Sequence, residues 1–212
     1  MTQTSMTPQA VEALFTDVHG HYHFARWGRP IAPIVFGVDD ATLATVKGAF
    51  EAFAALTGQE LAETDPELGS NCMVFFFRSW QELLSVRDLD LLLPDLPDLI
   101  EKLEKLGANQ YRVFRFDDAG AIKSAFVFLQ MNETLSAQPA EDLALSQVAQ
   151  VMLIWGEGAF SGRSPLADVG GTVILRPDIA DVIRAGYDPV MPACAEDPSH
   201  ALRLHARIGA AA

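Results

Sequence analysis

The stretch CMVFFFRS, residues 72–79, constrains this chain more than any other. Its first six residues are all apolar and three are phenylalanine, so no face is left for water. Such a run reads as a strand buried on both faces, inside a sheet with layers packed above and below it.

The flanking segments supply those layers. Residues 31–38, IAPIVFGV, form a second short strand, where Pro33 marks an edge or a bulge. Asp39 and Asp40 then open a helix in which Leu43, Val46, Phe50, Phe53 and Leu56 recur every three or four residues until Gly58 stops it. Residues 80–106 are leucine-rich and acidic, broken by Pro94 and Pro97, and read as two or three short helices. QYRVFRFD alternates Tyr111, Val113 and Arg115 with Arg112, Phe114 and Phe116. A hairpin signal, Asp117-Asp118-Ala119-Gly120, joins it to AIKSAFVFLQM. That turn explains the paired acids better than acid–base catalysis does.

A helix is predicted over about 140–155, followed by a five-glycine stretch, 156–171, that reads as a mobile loop. RPDIADVIRAGYDP forms another helix, with Pro177 in its first turn and Asp188-Pro189 at its end. Residues 8–18 have helical spacing through Val11, Leu14, Phe15 and Val18. A last short helix starts near Pro198 and ends in a frayed alanine tail. With no internal repeat, the expectation is one α+β domain, a small mixed sheet packed by helices. Its divisions are an N-terminal helix and extension over 1–25, the domain proper over 26–192, and a tail over 193–212.

Charge limits the partners. Among 212 residues, 15 Lys and Arg oppose 28 Asp and Glu, a formal charge of −13. Such a surface repels nucleic-acid phosphates and anionic membranes alike, so neither is expected as a partner. The N-terminus has neither the basic nor the apolar region of a signal peptide, and no apolar run reaches spanning length. Cys72 and Cys194 make no Cys-x-x-Cys pair and no disulfide framework, and Cys72 reads as an inert buried thiol. A cytoplasmic location is the simplest expectation.

Ser146-Gln147-Val148-Ala149-Gln150 has the spacing of a His-Glu-x-x-His zinc helix. Leu145, Val148, Met152 and Trp155 form its apolar stripe, with Val151 beside it, and Ser146 and Gln150 share another face. A hydroxyl and an amide are poor zinc ligands, and Gln147 cannot accept a proton at neutral pH. Leu153 and Gly156 stand where the extended motif needs its turn glycine and third histidine. Zinc hydrolysis by that mechanism is excluded here, and no metal or other cofactor is expected on this helix.

Four stretches together, RWGRPIAPIVFG, LTGQE, SNCMVFF and LRPDIADVIRAGYDP, resemble an uncharacterised bacterial family, domain of unknown function 2927. The resemblance implies a zincin-like (zinc-peptidase-type) α+β architecture. In it a helix with a Glu-Glu-x-x-Gln-type motif precedes a Ser-rich loop and a helix ending in Tyr-Asp-Pro. Gln150 matches the family's glutamine and Tyr187-Asp188-Pro189 its ending, while Ser164 takes the place of the loop serine. Gln147 replaces an acidic residue, Arg176 a capping threonine and Ile179 an aspartate, so the chain departs where polar chemistry belongs. The resemblance bears on the fold; the β-α-β-β-β-α order and the empty zinc helix favour a catalytically inactive domain that binds a peptide or protein partner. Its candidate cleft comprises Ser146, Gln147, Gln150, Glu157, Arg163, Ser164 and Tyr187, with no catalytic residue.

Two rival readings stay open. His19, His21 and His23 alternate in HGHYH, so three imidazoles on one side of an extended segment suit Zn²⁺ or Ni²⁺. Such a metal-dependent hydrolase would use this cluster, or the loop acid Glu157, in place of the helix. His200 and His205 are weaker candidates. The loop carries neither a Gly-Lys-Ser/Thr phosphate motif nor a Gly-x-Ser-x-Gly elbow. Ten leucines between Leu83 and Leu106 exceed what one face buries, which suggests a homodimer or docking surface there.

Overall fold

The computed structural model describes residues 6–210. In chain order, α1 (Pro8–Ala13) and β1 (Phe24–Ala25) lead into β2 (Pro33–Phe36), α2 (Asp40–Thr57) and β3 (Cys72–Phe77). A 3-10 helix (Trp80–Ser85), α3 (Leu89–Leu92) and α4 (Leu96–Lys105) precede the hairpin of β4 (Gln110–Phe116) and β5 (Ile122–Gln130). Then come α5 (Glu133–Ser136), α6 (Ala140–Met152), β6 (Leu166–Val169), β7 (Thr172–Leu175) and α7 (Pro177–Gly186). The last elements are β8 (Cys194–Ala195) and α8 (Ser199–Ala210).

The main sheet has the order β2-β3-β5-β4, with the first three strands parallel and β4 antiparallel at the edge. The chain is therefore an α+β domain with a mixed sheet. As its composition requires, β3 is covered on both faces. Cys72, Val74 and Phe76 enter one core with Val127 and Leu129 of β5, while Phe77 enters a second core with Phe126 and Phe128. Helices α2 and α6 pack together over the first face. Trp80, Leu83, Leu89, Leu93, Leu96, Ile100 and Leu103 cover the second. Each large apolar side chain buried in this way contributes roughly 1.5–3 kcal/mol.

Local chemistry sets the boundaries. Asp39 caps α2 by accepting from the Thr42 N–H at 2.8 Å, and Gly58 ends that helix with φ 72°. The β4–β5 turn is held by Asp117 Oδ1, which accepts from Ala119 N–H at 2.9 Å and Ala121 N–H at 3.0 Å.

Three expectations need correction. The helix predicted over 8–18 stops at Ala13, and Val18 is exposed. The helix predicted over 140–155 stops at Met152, and Trp155 leaves its apolar stripe to stack on Phe15 at 5.4 Å. Side chains replace the usual glycine stop by capping terminal carbonyls. Trp155 Nε1 donates to Ala149, Trp27 Nε1 to Val151 and the Tyr187 hydroxyl to Met152. Third, the 156–171 stretch is not one loop. It contains β6, which pairs with β7 in a hairpin closed by Gly170 and Gly171, both at positive φ.

Of the terminal segments set apart over 1–25 and 193–212, the described residues contribute to the main core. β1 pairs with β8, and Val11, Phe15, Phe24, Ala201 and Leu204 are buried together. Of the tail expected to fray, Ala211 and Ala212 lie outside the described residues.

Candidate functional site

On α6, the three polar residues of the zinc-type spacing have different partners. Ser146 and Gln150 are half-buried and bond to each other, Gln150 Nε2 donating to the Ser146 hydroxyl and carbonyl oxygens at 3.2 Å. Gln147 instead points at the sheet and is buried. Its Nε2 donates to Gln110 Oε1 at 3.0 Å, and its Oε1 accepts from the Arg112 guanidinium, which also donates to Gln110 Oε1 at 3.0 Å. The position that carries the general base in a zinc helix therefore ties α6 to the edge strand β4.

Arg112 is unusual in this setting. Its side chain lies on the α6 face of β4, opposite Val127 of the main core. Burial pushes its guanidinium down to about 10, leaving it a cation at neutral pH. Among the described residues it has no carboxylate partner, and its Nε is shielded from water with no acceptor. A half-buried, partly desolvated charge with only amide partners carries a cost. The sequence signal was an arginine within the alternation of β4, between Tyr111 and Val113. Nothing in it named Gln147, 35 residues later, as the partner.

The outer edge of β4 is open. Gln130 N–H donates to Asn109 C=O, so the antiparallel alternation turns the backbone groups of Gln110, Arg112 and Phe114 away from β5. No other strand or loop backbone pairs with them among the described residues. On the opposite face of β4, Tyr111, Val113 and Arg115 border a cavity of about 360 Å³ shared with Leu93, Asp95, Leu99 and Lys102.

A larger cavity, about 640 Å³, lies beyond the end of α6. Phe15, Tyr22, Ile154 and Trp155 supply its apolar walls, and Asp17, His21, His23, Glu157 and Glu196 its polar groups. The close approach rests on Gly156, whose N–H donates to Leu14 C=O at 2.8 Å. A Cβ there would sit 2.3 Å from the Thr16 carbonyl oxygen. Asp17 Oδ1 accepts from the His19 and His21 N–H groups at 2.8 and 2.9 Å, and Oδ2 lies 3.2 Å from His21 Nδ1. The His21 N–H and these further bonds hold its carboxyl below the usual range. His21 is exposed, and His23 rests against Phe116. Among the described residues no three His, Cys, Asp or Glu side chains are placed to hold a metal ion. His21 and His23 thus line the same cavity as Glu157, whereas Gln147 and Gln150 do not line it.

The other candidates disperse. Arg163 pairs with Asp178, which also holds Arg176. The Ser164 hydroxyl accepts from the Leu166 N–H at 3.0 Å and shapes the start of β6. Tyr187 is buried, and its hydroxyl serves Met152. Behind the larger cavity, Tyr22 and His200 form a buried pair at 2.8 Å, with His200 Nε2 unpartnered. Burial lowers the His200 imidazole to about 4. Of the leucine-rich section, Leu84, Leu91, Leu92 and Leu106 remain exposed. No protein-family model, curated protein or solved structure matches the chain.

Proposed function

We propose that this chain is a binding domain of zinc-peptidase-like architecture, without zinc chemistry, that takes an extended segment of a peptide or protein partner along β4. The observation that carries the reading is the edge strand itself. Gln110, Arg112 and Phe114 turn outward backbone groups that pair with no other backbone among the described residues, and the same strand is tied to α6 through Gln147. Strand addition satisfies such groups, and side-chain pockets beside the edge select the sequence. The zinc-peptidase-like part of the reading draws on the β-α-β-β-β-α order of β2 to α6 and on the zinc-type spacing of Ser146, Gln147 and Gln150.

Peptides selected from a displayed random library test this reading. The expected result is slowed amide exchange at Gln110, Arg112 and Phe114 on binding; selected peptides that leave those amides unchanged overturn it. Stoichiometric zinc held by residues 146–150 in untagged protein would overturn the absence of zinc chemistry.

A second reading, self-assembly through the leucine-rich section, draws on the exposure of Leu84, Leu91, Leu92 and Leu106. Light scattering that reports a strict monomer at high concentration removes it.

A further inference from the structure

The Arg112 guanidinium lacks a counter-charge in a protein with an excess of carboxylates. Nη2 donates to Gln110 and Gln147, whereas Nε is shielded from water with no acceptor among the described residues. Two neutral amides satisfy hydrogen bonds but not charge. A half-buried cation with a shielded, unpartnered Nε gains from the arrival of an anion. Such groups mark binding sites when they also face an accessible edge.

Arg112 meets that condition through its place in the ladder. Its backbone N–H and C=O point outward from β5, so a strand added to β4 places one residue directly opposite it. Directly opposed residues send their side chains to the same face, with Cβ atoms about 5 Å apart. On that face lies the guanidinium. A carboxylate on the opposing residue is the shortest-reaching group that supplies both the charge and the missing acceptor.

We propose that Arg112 selects the partner of β4: the added segment carries Asp or Glu opposite Arg112, and its carboxylate completes the Arg112–Gln110–Gln147 cluster. This inference rests on strand addition at β4 and names the chemistry of the segment. The rest of the surface repels an acidic segment at long range, so recognition is local and association is faster at moderate salt than at low salt.

The test uses two acetylated, amidated pentapeptides, Thr-Val-Glu-Val-Thr and Thr-Val-Gln-Val-Thr, titrated into the full chain by NMR. The glutamate peptide is expected to shift the Arg112 Nε–H signal, to slow exchange at Gln110, Arg112 and Phe114, and to bind at least about tenfold more tightly than the glutamine peptide. Equal affinity with protected β4 amides overturns the role of Arg112 and leaves strand addition standing. Absence of saturable binding of either peptide up to about 10 mM overturns the inference. A shift at Arg112 without β4 protection overturns strand addition itself.

Arg112→Met separates recognition from structure. It is expected to abolish the preference for glutamate and to change the melting temperature by only a few degrees, because Gln147 Oε1 loses its donor while an unneutralised cation is removed and Gln147 Nε2 still donates to Gln110. A marked loss of stability would assign Arg112 a structural role instead. Arg112→Lys, which keeps the charge and loses the planar fork, is expected to retain only part of the preference.

Discussion

The seam between α6 and β4 and the cavity beyond the end of α6 lie close in sequence but differ in design. At the seam, Gln147 is buried and each of its amide atoms has a partner on β4. At the cavity, Glu157 and Glu196 are exposed and have no hydrogen-bond or ion-pair partner among the described residues. Polar groups at the seam hold two elements together in a desolvated setting, where leaving one unpaired is expensive. Glu157 and Glu196 stay solvated, so each contributes little to folding. Polarity alone therefore does not distinguish a site from a staple; solvation and partnership do.

The sharpest way to break this contrast is at Gly156, which joins the end of α6 to the cavity wall. Gly156→Val places a side chain where a Cβ already meets Thr16 backbone at 2.3 Å. The N-terminal segment must shift, at a cost of about 3–4 kcal/mol, read as a lowered denaturation midpoint with an unchanged m-value. A variant of wild-type stability would show that the wall is not held by this approach.

Proton linkage is next, through the pair behind the cavity. His200 faces Tyr22 and Phe24, with Arg203 as the nearby charge. Its folded value of about 4 lies below the unfolded 6.5, so the unfolded chain binds the extra proton between these values. Stability from the buried neutral imidazole is complete above pH 6.5 and is lost as the pH falls towards 4. The loss is at most about 3 kcal/mol. Melting temperatures of wild type and His200→Gln, compared from pH 7 to pH 4, are expected to show the steeper decline in wild type. Parallel curves would mean that His200 takes up no proton on unfolding.

A direct comparison of the two regions pairs Gln147→Leu with Glu157→Gln. The first removes an acceptor from Arg112 and leaves Gln110 without its amide donor, at about 2 kcal/mol. The second changes a solvated group and stays within about 0.5 kcal/mol. Equal effects in chemical denaturation would erase the distinction between seam and cavity.

How far these regions were legible in sequence follows the same division. Apolar patterns identified β3 as an interior strand and α2 between Asp39 and Gly58, because burial and capping leave local signatures. The spacing of α6 placed Ser146 and Gln150 on one face, where they bond to each other. Its end at Met152 was illegible, since Trp27 and Tyr187 cap it from distant positions. The β6–β7 hairpin was missed because its four-residue strands are half-exposed and flanked by glycines. HGHYH suggested three converging imidazoles, but Asp17 turns the backbone at His19 and His21, and His23 packs on Phe116. The Arg112–Gln147 link joins strand to helix across the sheet, so only tertiary structure could reveal it.

The smallest effect is expected within the Asp17 turn, where two variants separate backbone support from side-chain pairing. His21 is a solvated ring whose one side-chain hydrogen bond among the described residues is the 3.2 Å contact to Asp17 Oδ2. Pairs of this kind contribute little, so His21→Ala is expected to move the melting temperature by less than about 1 °C. Asp17→Ala removes the same contact and also the acceptor of two backbone N–H groups. It should therefore lower the melting temperature more than His21→Ala does. If the histidine variant is the more damaging, the imidazole rather than the carboxylate holds this rim. The cavity would then resemble the seam, with a side chain serving the fold instead of the solvent.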